Sequence, residues 1–310
     1  MIVDLRYVNS VPDMVAQLSP IFYLRPRTIE HVSFNFRTGM LYPEYLLLIV
    51  AAFNWAKEND ISLVIDDIYQ TRPNYYPCRI NFYRLLGYNY NAPFFNRWSN
   101  KGKFIEITPL QFDTIKKLNI SSSVVDNIVD IFKNNFCVEK SIYSSLNYCL
   151  WEQIDNIQNH SGEKGTGYIV AQNFPLNREI RICVADTGMG IYKSLTRANS
   201  QYQNLLYKEA IQKCIEEHVT NGNGKGNGLY HSSRFVLENC GEFILYSGKY
   251  YITIRNGVIH SVQSRTFWQG TIIFQKIKTD NPVDYNKVFN NCDVPTSVDE
   301  CDDMLNALWE

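Results

Sequence analysis

The spacing of hydrophobic and polar residues divides the first part of the chain into alternating strands and helices. Residues 31–37 (HVSFNFR) alternate strictly between apolar and polar side chains, which is typical of a half-buried strand. A helix is predicted to begin at Pro43 and to end near Asn59. The stretch ISLVID then indicates a short buried strand, and CRINFYRLLGY a second helix that ends at Gly87. This order predicts a small α/β domain over residues 1–110.

A different pattern follows the linker and connecting helix that we predict over residues 111–139, and it indicates a second α/β domain over residues 140–279. GYIVAQNFP and LNREIRICVAD are expected to form neighbouring strands that are joined by a turn at residues 175–177. GEFILYSGKYYITIRNG alternates and contains turn signals at Ser247-Gly248 and Asn256-Gly257, and TIIFQKI follows it. These elements predict a two-layer α/β sandwich whose helices cover one face of the sheet.

Polar residues in the second domain are grouped in a way that suits nucleotide chemistry. Glu152, Asn156 and Asn159 are spaced i, i+4 and i+7 in a predicted helix, so they share one face. A carboxylate can accept a proton, and an amide oxygen is a hard metal ligand that adds no charge beside phosphates. Downstream, an apolar strand ends at Asp186 and is followed by Gly188 and Gly190. A carboxylate beside a flexible backbone suits recognition of a flat polar ring.

The third group is the glycine-rich stretch NGNGKGNG, which ends at Gly228 and leads into an apolar helix near Leu229. So many glycines disfavour a regular element, because ordering them costs much conformational entropy. We therefore predict a loop whose backbone N–H groups and Lys225 can surround phosphates at the positive end of the next helix.

These blocks resemble, in the same order, those of the ATP-binding domain shared by DNA gyrase, heat-shock chaperones, histidine kinases and MutL, the GHKL family with its Bergerat fold. The matching residues are Glu152 and Asn156 in the N box, Asp186, Gly188 and Gly190 in the first glycine box, Gly224, Gly226 and Gly228 in the second, and Gly270 and Thr271 in the last. The resemblance covers about residues 140 to 279, under half of the chain. Four blocks in order are far more specific than any single one.

The resemblance implies ATP and Mg²⁺ as ligands and gives the residues roles. Glu152 would deprotonate the attacking water or hydroxyl, Asn156 would bind the magnesium ion, and Asp186, supported by Thr271, would accept a hydrogen bond from the adenine amino group. The implied ATP-binding residues are Asn156, Asn159, Asp186, Gly188, Met189, Gly190, Ile191, Gly224, Lys225, Gly226, Asn227, Gly228, Leu229 and Thr271.

Three functions are compatible with this assignment. The first is an ATP-driven conformational switch with slow hydrolysis, which acts in a signalling or defence complex with a protein partner or a second copy. The second is a serine/threonine protein kinase of the anti-sigma-factor type, in which Glu152 activates a partner's hydroxyl. The third is a non-catalytic module in which ATP only locks the loop.

Residues 1–110 resemble, by pattern alone, the STAS-like domains that accompany GHKL proteins in bacterial partner-switching systems. Those relatives carry a phosphorylatable serine or threonine at the start of the helix after the first central strand. Here that region reads Gly39-Met40-Leu41-Tyr42-Pro43, and Thr38 is the nearest hydroxyl apart from Tyr42. We therefore favour a scaffold or dimerisation domain over a phospho-acceptor.

Composition narrows the partners. With 30 basic and 31 acidic residues the net charge is -1, which gives no overall reason to expect nucleic acid or an anionic membrane as a partner. The eight cysteines show no metal-ligand spacing, and no signal peptide precedes them, so a cytoplasmic protein is expected. The longest apolar run, Tyr45 to Phe53, is too short to cross a bilayer. Residues 280–310 carry eight acids and one lysine and suggest an acidic tail with a docking helix at DDMLNALWE.

Overall fold

The computed structural model describes residues 2–35, 41–65, 75–88, 103–110, 114–135, 140–160, 166–198, 200–220 and 228–289. They form a mixed α/β structure with two sheets. The strands are β1 (Ile2–Arg6), β2 (Ile29–Asn35), β3 (Ser62–Ile65), β4 (Phe104–Leu110), β5 (Gly167–Phe174), β6 (Glu179–Asp186), β7 (Glu242–Arg255) and β8 (Val258–Lys278). The α-helices are α1 (Val11–Leu18), α2 (Pro43–Glu58), α3 (Tyr75–Arg79), α4 (Phe82–Leu85), α5 (Thr114–Asn135), α6 (Lys140–His160), α7 (Gly190–Leu195), α8 (Tyr207–Lys213), α9 (Gly228–Glu238) and α10 (Tyr285–Phe289).

The first sheet is parallel and has the order β1-β2-β3. It confirms the strands predicted at residues 31–37 and at ISLVID as far as the described residues reach, to Asn35 and Ile65, while β1 and α1 were not predicted. Helix α2 begins at Pro43 as expected. The helix predicted over CRINFYRLLGY is two short helices, because Asn81 adopts a left-handed conformation (φ 68°) that interrupts the helical hydrogen bonds.

The second sheet is antiparallel and has the order β4-β5-β6-β8-β7. The turn between β5 and β6 is the short 3-10 helix Pro175–Asn177, at the predicted position. Strand β4 was assigned from sequence to the first domain, yet it pairs with β5, with Leu110 opposite Gly167. The first 110 residues therefore contribute a strand to the second sheet.

One predicted turn is wrong. The chain does not reverse at Ser247-Gly248, since β7 continues to Arg255 with only a shift of register there. Gly248 has φ 61°, and the Tyr207 ring occupies the space that a side chain at Gly248 would need. The glycine thus marks an irregularity where another element approaches the strand closely. The hairpin turn between β7 and β8 lies at the second predicted position, Asn256-Gly257.

Helices cover both faces of the second sheet, whereas one covered face was expected. Helices α5, α6 and α9 pack on what we call the front face, and α1 and α2 on the back face. The reason lies in α2, in which residues 44–53 are all buried and which contacts both β5 and β6. A helix that is apolar on nearly every side requires neighbours all round. Alternation along β6 serves both layers: Ile180, Ile182 and Val184 face the front core, and Arg181, Cys183 and Ala185 face the back.

None of the described helices combines the length and the apolar character that crossing a bilayer would require. Helix α10 packs Val288 and Phe289 into the front core. The docking helix predicted at DDMLNALWE and the hydroxyl of Thr38 lie outside the described residues.

Candidate functional site

A cleft opens on the front side of the sheet between α6, the end of β6, the middle of β8, and the segment that runs from α7 to α9. It contains about 750 Å³ of empty space, part of which is open solvent. Six of the residues predicted from sequence line it, namely Asn156, Asp186, Gly190, Ile191, Leu229 and Thr271. The other lining residues are Gln153, Ile157, Val184, Ser194, Leu195, Cys214, Val219, Thr220 and Ile273.

Asp186 lies in this cleft because it is the last residue of β6 and follows the front-facing positions of the strand. Its side chain is only 3% exposed. The Gly188 backbone N–H donates to its Oδ1 at 2.7 Å, and the Thr271 N–H and hydroxyl also donate to the carboxylate. Burial raises the pKa of Asp186 to about 7, although these hydrogen bonds act in the opposite direction. A carboxyl group that can change its charge near neutral pH therefore sits in a largely apolar cleft.

Two glycines hold the backbone close around this carboxylate. Gly190 has φ 75°, and a β-carbon there would lie 2.7 Å from Ser247 Oγ. Gly270 has φ 95°, and a β-carbon there would lie 2.6 Å from Asp186 Oδ1. Both positions combine a left-handed backbone with lack of space, so both require glycine.

Ser247 was missed by the sequence analysis, where it was interpreted as part of a turn. Its Oγ accepts from the Ile191 N–H at 3.0 Å and donates to the Gly270 carbonyl at 2.8 Å. It therefore connects the first turn of α7 to β8. Its role depends on its position opposite Thr271 in the β7–β8 register. The predicted turn at Ser247-Gly248 concealed this pairing, so no signal for it could be read from the sequence.

Two further side chains of β8 hold the loop after Asp186. Trp268 Nε1 donates to the Asp186 carbonyl at 2.9 Å, and Gln269 Nε2 donates to the Gly188 carbonyl at 2.6 Å. Met189, also a predicted site residue, is 40% exposed and directly precedes α7. The backbone of this loop is thus held by side chains of β8 at both Asp186 and Gly188.

Helix α6 provides the second wall. Asn156 is half-buried and lines the cleft, while Glu152 is buried one turn earlier in the helix and is not among the described residues that line it. A β-carbon at Gly228 would lie 3.5 Å from Glu152 Oε2 and would clash with the Glu152 stem, so the first residue of α9 passes directly over Glu152. Leu229 lines the cleft itself. Asn159 belongs to α6, but its side chain is outside the described part of the structure.

A buried polar chain links the walls of the cleft. Gln153 Nε2 donates to Ser232 Oγ at 2.6 Å, and Gln275 Nε2 donates to Gln153 Oε1 at 3.1 Å. These residues belong to α6, α9 and β8, and Gln153 also lines the cleft. Sequence analysis did not identify this network, because its members are far apart in the chain.

The predicted phosphate-binding loop is described only at its end. Gly224, Lys225, Gly226 and Asn227 lie outside the described residues. Upstream of the loop, α8 is a short helix of seven residues. The residues between α8 and the loop include Cys214, Val219 and Thr220, which line the cleft.

The residues present are compatible with a nucleotide-bound magnesium ion. Within the described ranges, no three His, Cys, Asp or Glu side chains come together as a metal-binding group. Mg²⁺ held by a triphosphate needs few protein ligands, because phosphate and water oxygens complete its coordination. The amide of Asn156 in the cleft wall is suited to that limited role.

Comparison with known proteins gives no further assignment, since no family model, curated protein or solved structure matches the chain.

Proposed function

We propose that this protein binds Mg-ATP in the front cleft and acts as an ATP-driven conformational switch with slow hydrolysis. The observation that carries the proposal is the buried carboxylate of Asp186, which is held by Thr271 and the Gly188 N–H. It lies inside a cleft that is lined by residues of three of the sequence blocks and by Leu229, which directly follows the fourth block. An acceptor in an apolar cleft suits a ligand that brings an N–H donor and a flat apolar body.

Adenine meets this requirement. Its exocyclic amino group donates to a carboxylate, whereas guanine presents a carbonyl oxygen at the equivalent position, so two acceptors would face each other. The cleft walls beside Asp186 are apolar, as expected for contact with a ring: Ile157, Val184, Ile191, Leu195 and Ile273. Thr271 supports the carboxylate with its own N–H and hydroxyl.

The phosphates would extend towards the beginning of α9. This helix is 11 residues long, and its first N–H groups lie at Gly228 and Leu229, beside the cleft. Unpaired N–H groups and the helix dipole favour anions there. Asn156 would contribute a ligand to the magnesium ion, which neutralises the phosphates when it is bound. Glu152, next to Gly228, would act as the general base.

The switch follows from the elements that form the cleft. The segment that runs from α7 to α9 contributes wall residues from both of its ends, Ile191 in α7 and Leu229 in α9 among them. A triphosphate that contacts both ends would favour a closed arrangement of this segment, and loss of the terminal phosphate would weaken that preference. We place this switch in a cytoplasmic signalling or defence complex, with the STAS-like residues 1–110 as its scaffold for a protein partner or a second copy.

A non-catalytic ATP-binding module is the second candidate, and one observation favours it. Glu152 is buried beneath Gly228 and is separated from the described lining of the cleft. A general base has to come within hydrogen-bond reach of the attacking oxygen. If α9 does not move when ATP binds, Glu152 stays covered and ATP only stabilises the closed form.

Measurement of phosphate release from ATP distinguishes these functions. The switch proposal predicts that the wild type releases phosphate slowly. In Glu152→Ala the rate of release should fall by about a hundredfold or more, while the affinity for ATP stays unchanged. Asn156→Ala, the matched change one helical turn away, should weaken both binding and turnover because it removes a metal ligand. Release at the same rate by the wild type and Glu152→Ala would contradict the catalytic role. A labelled phosphoprotein without free phosphate would instead support the kinase.

A further inference from the structure

The back face of the second sheet carries another cavity, separate from the cleft. It holds about 480 Å³ of empty space, part of it open solvent, between residues 7–11 and 42–45 on one side and strands β6, β7 and β8 on the other. The part of this space that water-sized molecules can occupy is about 150 Å³, which is room for a small ligand. Its principal polar residues are Tyr7, Glu44, Tyr45, Arg181, Glu242 and Lys276.

The charged residues of this cavity come from two layers. Arg181, Lys276 and Glu242 lie side by side on β6, β8 and β7, because Arg181 pairs with Lys276 and Lys276 with Glu242 in the sheet register. Glu44 lies in the first turn of α2, which packs on the back face of this sheet. Arg181 Nη1 contacts Glu44 Oε1 at 2.6 Å, and Lys276 Nζ contacts Glu242 Oε2 at 2.8 Å.

Glu44 has an unsatisfied oxygen. The residue is 1% exposed, and its Oε2 accepts no hydrogen bond of acceptable geometry from the described residues. Burial raises the pKa of Glu44, although Arg181 and the Glu44 backbone N–H lower it. The guanidinium cannot serve the second oxygen, because it is engaged by Glu179 at 2.6 Å and stacks on the Tyr42 ring, with 3.6 Å between Cζ and the ring centroid. A buried acceptor of this kind is costly unless something donates to it.

The side chains that form ion pairs around the cavity have no net charge when taken together. Three acidic and three basic side chains take part in them: Glu44, Glu179, Glu242, Arg181, Arg255 and Lys276. A ligand with a net charge would leave one charge unmatched in a partly buried place, which is unfavourable. A zwitterion avoids this cost, because it brings one charge of each sign. The ammonium of Lys276 retains N–H groups beyond the one that faces Glu242, so it can also bind a carboxylate.

We propose that this cavity binds a free amino acid, whose ammonium group donates to Glu44 and whose carboxylate contacts Lys276. The rings of Tyr45 and Phe274 at the cavity wall would contact the ligand's side chain. The site is on the opposite face of the sheet from the cleft, and its existence does not depend on ATP binding. Arg181 precedes Asp186 on the same strand, so the two sites share β6.

The test measures each proteinogenic L-amino acid, at millimolar concentration and without nucleotide, by thermal shift, followed by titration calorimetry of any that stabilises the protein. At least one should raise the Tm, because a ligand that binds only the folded state stabilises it. The matching amine without the carboxylate, and the matching acid without the amine, should each bind at least about tenfold more weakly.

Variants locate the site. Glu44→Gln should weaken binding by about tenfold or more, since it removes the charge that the ammonium group meets. Lys276→Gln, at a partly exposed position, should also weaken amino-acid binding by about tenfold or more. This variant provides the test if Glu44→Gln fails to fold. The matched control is Glu238→Gln on α9 in the front layer, where Glu238 pairs with Lys287 at 2.9 Å, and it should bind like the wild type. If no amino acid binds, or if binding survives unchanged in both cavity variants, the proposal that this cavity binds an amino acid is wrong.

Discussion

ATP binding should depend on the protonation of Asp186. Burial raises the pKa of this carboxyl group to about 7 in the free protein, so near neutral pH a large part of the molecules carry the protonated form. The adenine amino group donates a hydrogen bond and therefore favours the charged carboxylate, which lowers the pKa in the complex. Binding thus releases a proton, and affinity is expected to rise as the pH rises through about 7 and to level off above it.

The magnitude follows from the titration of one group. With a pKa of about 7, roughly one eleventh of the molecules carry the carboxylate at about pH 6, and roughly ten elevenths carry it at about pH 8. We therefore expect about tenfold tighter ATP binding at the higher pH and the release of about half a proton at pH 7. Titration calorimetry in two buffers of different ionisation enthalpy measures both quantities.

Two variants separate this effect from the titration of ATP itself. The phosphates of ATP also titrate, at a pKa of about 6, but their contribution is the same for every protein variant. Thr271→Val removes a hydroxyl that donates to the carboxylate and lowers its pKa, so the midpoint of the pH dependence should move upwards. Asp186→Asn should lose the dependence, apart from that of the phosphates. If the wild type shows the same weak pH dependence as Asp186→Asn, Asp186 does not contact the base.

Three further predictions concern stability and can be measured by urea unfolding. Gly190→Ala should lower the free energy of unfolding by about 2 kcal/mol or more, because φ is 75° and the new β-carbon would meet a side chain. Gly257 has the same φ of 75° but open space around it, so Gly257→Ala should cost only about 1 kcal/mol. Equal costs would contradict the close contact at Gly190. Ser247→Ala should cost about 2 to 4 kcal/mol, because it leaves two buried backbone groups without their partner; a change below about 0.5 kcal/mol would refute this. Arg181→Met should cost about 3 to 5 kcal/mol by leaving Glu44 without its cation. Because burial then raises the folded-state pKa of Glu44 still further above its unfolded value, folding takes up a proton, and the loss should be larger at about pH 8 than at about pH 5. A loss independent of pH would show that removing Arg181 does not change the protonation of Glu44.

The sequence was sufficient where local pattern decides structure. The apolar run that ends at Asp186 before two glycines predicted both the strand and the loop, since strand alternation and glycine conformation act over a few residues. Pro43 likewise identified the beginning of α2. Six of the predicted site residues line one cleft.

Long-range contacts account for what could not be predicted. Strand β4 belongs to the second sheet through its pairing with β5, and pairing between distant strands leaves no local signal. Gly248 suggested a turn, but it is there to make room for Tyr207, forty-one positions earlier in the chain. Ser247 and Gln153 function through partners that only the folded register brings near them.

The most direct test of the account is a calorimetric comparison of ATP and GTP at about pH 8, with the wild type and Asp186→Asn. The account predicts that the wild type binds ATP and prefers it to GTP by about a hundredfold or more, because the guanine carbonyl would face the Asp186 carboxylate. Asp186→Asn should lose about 2 to 4 kcal/mol of ATP binding and with it most of the preference. Equal affinity of the wild type for the two nucleotides, or undiminished ATP binding by Asp186→Asn, would contradict the assignment of the front cleft as an adenine site.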